Sequence, residues 1–257
     1  MIFNVGDFVS RNSYKNDIVF KIIKTENDKA YLKGVEVRLL ADAPLTDLKK
    51  VDKNISNSFD TDIELNNKDR NSNYFYLPGK ILHLDGDGEY LDTCLKFYKD
   101  KNVYAIGKKI KEENMSNQLP LLLKEFRPDI LIITGHDAYY SKKGTRDNID
   151  NYKNSKNFVN AVKTARKYEK SHDKLVIIAG ACQSDYEEII KAGANYASSP
   201  KRINIHALDP AIIATCVAIT ERNKEIDLLE LLSKTKYGPD GIGGLKGNGL
   251  MYVGFPR

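Results

Sequence analysis

Asp129-Ile-Leu-Ile-Ile-Thr134-Gly135-His136-Asp137-Ala138 and Lys174-Leu-Val-Ile-Ile-Ala179-Gly180-Ala181-Cys182-Gln183-Ser184 share one layout: an unbroken apolar run, a glycine, then a residue capable of chemistry. An apolar run without alternation reads as a strand buried on both faces, as in a parallel sheet covered by helices. In such sheets functional groups collect beyond the carboxyl ends of the strands. His136 and Cys182 are 46 residues apart, which leaves room for one helix and a loop between neighbouring strands. Strands about 5 Å apart would then launch an imidazole and a thiol side by side.

Outward from this pair, the pattern from residue 79 onward keeps alternating. Apolar runs at 80–84, 103–106, 129–133 and 174–178 are separated by amphipathic stretches near 88–99, 113–126 and 155–169. Further helices are expected near 184–192 and 210–222. This is an α/β pattern with a mostly parallel sheet flanked by helices. Residues 1–50 differ: period-two alternation punctuated by Gly6 and Gly34 predicts a small antiparallel β module, barrel-like and SH3-like in size. It either binds a partner or caps the main domain. Between them, 51–74 is rich in Asn, Asp, Ser and Lys and reads as an exposed linker, with 75–257 as the α/β domain. The glycine-rich tail, Gly238-Pro-Asp-Gly-Ile-Gly-Gly-Leu-Lys-Gly-Asn-Gly, lacks the ending of a phosphate loop and reads as a mobile surface loop.

Composition narrows the function. Of 257 residues, 40 are Lys or Arg and 35 Asp or Glu, a net charge of +5 spread along the chain, which argues against a nucleic-acid partner. Three cysteines at wide spacing suit neither a disulfide framework nor a metal site, and a reducing cytoplasm is expected, with no cofactor or metal. No segment reaches the roughly 18 apolar residues of a membrane span, and the first residues contain no apolar signal region.

The Cys/His pair has a chemical logic. A thiolate is the nucleophile, and an adjacent imidazole takes the proton or stabilises the thiolate. Cys182 also precedes a predicted helix, whose free N–H groups would favour negative charge on sulfur and on an oxyanion. Either residue alone would read as core filler or a structural histidine; the matched positions favour catalysis. Cys94 and Cys216 fall inside helical patterns and read as packing. His206, at another expected strand end, is the spare candidate for the base.

The stretches Ile132-Ile-Thr-Gly-His-Asp-Ala-Tyr139, Ala179-Gly-Ala-Cys-Gln-Ser184, Ala192-Gly-Ala-Asn-Tyr-Ala-Ser-Ser-Pro200 and Ile203-Asn-Ile-His-Ala-Leu-Asp-Pro210 resemble the sporulation-associated YabG peptidases. The opening Val5-Gly-Asp-Phe-Val and Leu82-His-Leu-Asp-Gly-Asp-Gly88 add to that likeness, and the strand-His, strand-Cys order looks like the wider caspase group. The resemblance implies a caspase-like sheet and a sporulation-stage cysteine endopeptidase. It would cut after Arg in spore-coat and germination proteins, in the sporulating cell's cytoplasm or at the coat. It also implies Cys182 as nucleophile, His136 as base, and backbone N–H groups of Asp137 and Cys182 as the oxyanion hole. Asp137 rather than Gly follows the His here, and Gly180 stands where the caspase group often has an acidic or amide residue.

In that group the loop after the first strand helps form the P1 pocket, so Asp85 or Asp87 is expected to pair with a P1 guanidinium. The plain alternative is a solvated acidic turn, and Asp147, Asp150 and Asp209 are further acids for that role. The same Asp85-Gly-Asp87-Gly also reads as the nucleophile loop of a haloacid-dehalogenase-type phosphatase, with Asp85 attacking phosphorus. A non-catalytic coat-assembly protein is the third reading. Arg70, in the polar linker, is a candidate for self-cleavage, against an inert spacer.

Overall fold

The computed structural model describes residues 2–51 and 73–256. Most of the expected linker, and Arg70 with it, lies outside the described residues. The chain divides into two compact units, Met1–Asp60 and Thr61–Arg257.

In the first unit, β1 (Phe8–Arg11), β2 (Phe20–Glu26), β3 (Lys29–Gly34), β4 (Leu40–Pro44) and β5 (Leu48–Lys50) form one antiparallel sheet in the order β4-β3-β2-β1-β5. Alternation explains it: Phe20 and Ile22 point to the same side and bury against Val9, Ala30 and Leu32. The β2–β3 turn is Asn27-Asp28, with Asn27 at φ 53°, the left-handed conformation that tight hairpin turns need and Asn tolerates.

The second unit runs β6 (Phe75–Leu77), β7 (Ile81–Asp85), α1 (Gly88–Asp100), β8 (Ala105–Lys109), α2 (Glu112–Phe126), β9 (Ile130–Thr134), α3 (Ser155–Tyr168) and β10 (Val176–Ala179). Then come α4 (Tyr186–Lys191), β11 (Tyr196–Ser198), α5 (Asp209–Ile219), α6 (Leu228–Ser233), β12 (Ile242–Gly244) and β13 (Tyr252–Gly254). The main sheet has the order β12-β11-β10-β9-β7-β8; all its pairs are parallel except β11–β12. The fold is therefore α/β with a mostly parallel sheet. Helices cover both faces. Leu82, Leu84, Leu131, Ile133 and Ile177 meet Leu119 and Leu123 of α2 and Phe158 and Val162 of α3 on one side, while α1 and α5 pack on the other. With both faces dry, every residue of β7, β9 and β10 is buried, which is why these strands read as continuous apolar runs.

The chain leaves β7 toward β8 on one side and returns to β9 on the other, so the strand order reverses between β7 and β9. A crevice opens at such a switch point, beyond the carboxyl ends of the strands.

The tail departs from the expected surface loop. Ile242–Gly244 is the edge strand β12, and Tyr252–Gly254 pairs with Phe75–Leu77. Its glycines serve close approach rather than mobility. A Cβ on Gly244 would stand 2.3 Å from Tyr196 Cδ1, and one on Gly249 would stand 2.1 Å from the Thr220 carbonyl oxygen. The helix expected near 184–192 also begins later, at Tyr186, with Asp185 as its N-cap. Cys182 therefore sits in a loop four residues before that short helix rather than at its N-terminus.

Candidate active site

The site grows from the register of β9 and β10. These strands are parallel neighbours, with Ile132 opposite Ile178 and Ile133 opposite Ala179. One step further, the Thr134 hydroxyl donates to the Gly180 carbonyl at 2.9 Å. His136 and Cys182 each follow at the same distance past the last registered pair, so the two candidate residues leave the sheet on one rung.

Beyond the strands the chain turns sharply. Gly180 has φ +102°, and a Cβ there would crowd Ile189 and Ser198 at 3.2–3.3 Å. Gln183, directly after Cys182, adopts φ 59°. Its N–H donates to the Ile203 carbonyl and to Ser199 Oγ, both at 3.1 Å, and its side-chain oxygen accepts from the Tyr139 N–H at 3.3 Å. The Cys182 side chain is fully buried. Its sulfur accepts the Ile205 N–H at 3.2 Å and faces the Ile205 carbonyl at 3.8 Å.

His136 is held at three points. Its backbone N–H donates to Glu112 Oε1 at 2.8 Å, its carbonyl accepts from Asn154 Nδ2 at 2.7 Å, and Nε2 lies 2.9 Å from Asp87 Oδ2. An ionised carboxylate only accepts hydrogen bonds, so Asp87 fixes the proton of neutral His136 on Nε2 and leaves the lone pair on Nδ1. Nδ1 is buried and makes no hydrogen bond among the described residues. The other Asp87 oxygen caps α1 through the N–H groups of Glu89 at 3.0 Å and Tyr90 at 3.4 Å.

The two loops are tied together by Asp137. Its carboxylate accepts from the N–H groups of Ala138 at 2.9 Å and Asn154 at 2.7 Å, and from the hydroxyls of Ser155 at 2.5 Å and Ser184 at 2.9 Å. Ser155 Oγ in turn accepts the Asp185 N–H at 2.7 Å. Burial holds the Asp137 carboxyl above its ordinary range despite these four donors.

The remaining expected residues fall as follows. Asp85 is fully buried, accepts the Asp87 N–H at 2.9 Å and lies 3.6 Å from His83 Nε2. Asp87 lies beside the His136 imidazole. The burial of Asp85 and the engagement of Asp87 do not favour the phosphatase reading. His206 follows an irregular segment rather than a strand, and its Nδ1 accepts the Leu208 N–H at 3.2 Å. Asp209 is buried, holding the N–H groups of His206 at 2.9 Å and Lys236 at 3.0 Å.

Sequence reasoning missed Glu112 and the side-chain role of Asp137. Glu112 stands 24 residues before His136 in a different element. The signal for it was the pair of glycines: a Cβ on Gly86 or on Gly135 would stand 2.3 or 2.2 Å from the Glu112 carboxylate.

Residues 4–70 and 56–256 match the family described as YabG peptidase U57. The chain is similar to the sporulation-specific protease YabG of Bacillus subtilis (strain 168), with 42% identity over 286 positions, covering 100% of this chain and 99% of that protein. Among solved structures it is similar to the receiver domain of the Francisella response regulator 1452, at a TM-score of 0.35 and 12% identity, over 55% of this chain and 96% of that one. No described helix is long and apolar enough to cross a membrane.

Proposed function

The chain belongs to the YabG peptidase family, and from that premise we propose that it is a sporulation-stage cysteine endopeptidase, with Cys182 as nucleophile and His136 as general base. Its substrates on this reading are spore-coat and germination proteins, cut after arginine in the sporulating cell or at the coat. The observation that carries the mechanism is the shared rung of His136 and Cys182 at the ends of β9 and β10.

The chemistry follows from the residues. His136 Nδ1 takes the thiol proton, directly or as the thiolate–imidazolium pair, and Cys182 sulfur attacks the scissile carbonyl carbon. The N–H groups of Asp137 and Cys182 are the proposed donors to the resulting oxyanion. The imidazolium then returns its proton to the leaving amine, giving a thioester that water hydrolyses with His136 again as base. Asp87 would keep the imidazole in the tautomer and orientation that these steps need, as the carboxylate of a serine-protease triad does.

The test is cleavage of an arginine-containing peptide by the purified chain. Cys182→Ala and His136→Ala are expected to lose at least about 1,000-fold in kcat with an unchanged melting curve. Full activity in Cys182→Ala overturns the assignment, and loss confined to His206→Ala moves the base to His206.

A further inference from the structure

The Cys182 thiol is fully buried in this structure, and the segment 199–205 lies against it. That segment carries two non-glycine residues in the left-handed region, Ser199 at φ 66° and Arg202 at φ 57°. It is pinned at both ends of its turn. The Ser199 N–H donates to the Gly241 carbonyl at 2.7 Å, and the Gln183 N–H reaches the Ile203 carbonyl.

Between these pins, the Arg202 side chain points into an acidic site. Its Nη2 donates to Asp185 Oδ1 at 3.2 Å and to Glu187 Oε2, and its Nε donates to the Tyr152 hydroxyl at 2.8 Å. The Arg202 side chain is 8% exposed and that of Asp185 3%, so this is a desolvated pair rather than a surface contact. Asp185 stands three residues after Cys182. Its Oδ2 is buried and has no hydrogen-bond partner among the described residues. Burial keeps the Asp185 carboxyl above its ordinary range even with Arg202 beside it. The adjoining cleft, about 320 Å³, also takes in Asp147 and Glu188, with Arg146 and Lys191 on its wall. A planar cation with a fork of donors is what such a carboxylate pair recognises.

We propose that Asp185 and Glu187 form a guanidinium-binding site for the arginine side chain of a protein substrate, that the chain's own Arg202 fills it here, and that this contact holds segment 199–205 across the Cys182 thiol. The thiol-access half rests on the reading of Cys182 as the nucleophile. An incoming arginine side chain would compete with Arg202 for the two carboxylates and release the segment from the sulfur. Substrate recognition and exposure of the nucleophile would then be one event.

The experiment reads thiol reactivity rather than cleavage, so it succeeds or fails independently of the peptidase assignment. The full chain is treated with iodoacetamide, and alkylation of Cys94, Cys182 and Cys216 is followed by mass spectrometry. In Arg202→Ala, Cys182 is expected to react at least about tenfold faster, the scale of losing one partner of a largely buried ion pair. Cys94 and Cys216, both buried in the body of the fold, are expected to keep their wild-type rates. A Cys182 rate equal to wild type overturns the proposal, and so does a parallel rise at all three cysteines, which reports general loosening. Should Arg202→Ala not fold, Glu187→Gln removes one leg from a half-exposed position and is expected to speed Cys182 alone; no change there is equally fatal. Agmatine, a small guanidinium amine, is expected to raise the melting temperature of Arg202→Ala and to leave the wild type unmoved. A variant indifferent to agmatine rules out the guanidinium site.

Discussion

The Nε2 atom of His136 lies 2.9 Å from Oδ2 of Asp87, across the switch point between β9 and β7. Those two residues are 49 apart in sequence, and Asp87 is at the same time the N-cap of α1. A helix cap is a rigid mount: two backbone N–H groups fix one oxygen, and the other faces the imidazole.

That double duty separates two substitutions. Asp87→Asn keeps a good N-cap residue but can present an amide N–H to Nε2, which favours the wrong tautomer. It is expected to lower kcat by roughly 100-fold or more while shifting stability by less than about 1 kcal/mol. Asp87→Ala is expected to lose both, adding about 1 kcal/mol of destabilisation from the cap. Peptide-cleavage kinetics and urea unfolding on the two variants check this; an Asn variant with wild-type kcat excludes the orienting role.

Asp137 should show its cost in pH dependence. Its folded pKa is raised by burial, so the protonated form is the one the fold favours. The sign follows: the stability it contributes is fully present below the ordinary carboxylate value near 3.8 and is lost as pH rises through the raised folded value. An uncharged Asn should lack this loss. The stability of Asp137→Asn relative to wild type is therefore expected to improve from pH 4 to pH 7, measured by urea unfolding. A relative stability that worsens over that range contradicts the burial argument. Asp137→Ala, which strands four donors, is expected to cost about 2–4 kcal/mol.

The Glu112 mount is testable by volume. Gly135→Ala puts a methyl group 2.2 Å from the Glu112 carboxylate, and the side chain must move off the His136 N–H. A cost of about 1–3 kcal/mol is expected, with a drop in kcat as the His136 loop shifts. Glu112→Ala combined with Gly135→Ala removes the clash. The double-mutant cycle should therefore show positive coupling of at least about 0.5 kcal/mol. Strict additivity would mean that the two groups do not meet.

Arg70 supplies a prediction from sequence alone, since it lies outside the described residues. An arginine-cutting enzyme with this polar stretch tethered to it would meet its own site at high effective concentration. Long incubation of wild type is expected to yield a fragment beginning at Asn71, absent from Cys182→Ala, by mass spectrometry. An intact wild-type chain leaves Arg70 in an inert spacer.

The sequence by itself determined the α/β alternation, the three buried strands β7, β9 and β10 to within about two residues, and the shared layout of His136 and Cys182. Each of these is written in local pattern: a short apolar run bounded by turn residues reads as a strand dry on both faces, and the polar residue after it as the strand end. The sequence failed where the outcome depends on what stands opposite. The tail's glycines look mobile in isolation, yet Gly244 and Gly249 are glycine because Tyr196 and the Thr220 carbonyl leave no room for a Cβ. Asp85 and Asp87 look alike as an acidic turn, and only the pairing of β7 beside β9 buries one and places the other against an imidazole. Glu112, Asp137, Asp185 and Arg202 were silent for the same reason. A charged side chain's role is set by the partner that desolvation forces on it, and those partners come from elements that meet only when the sheet closes.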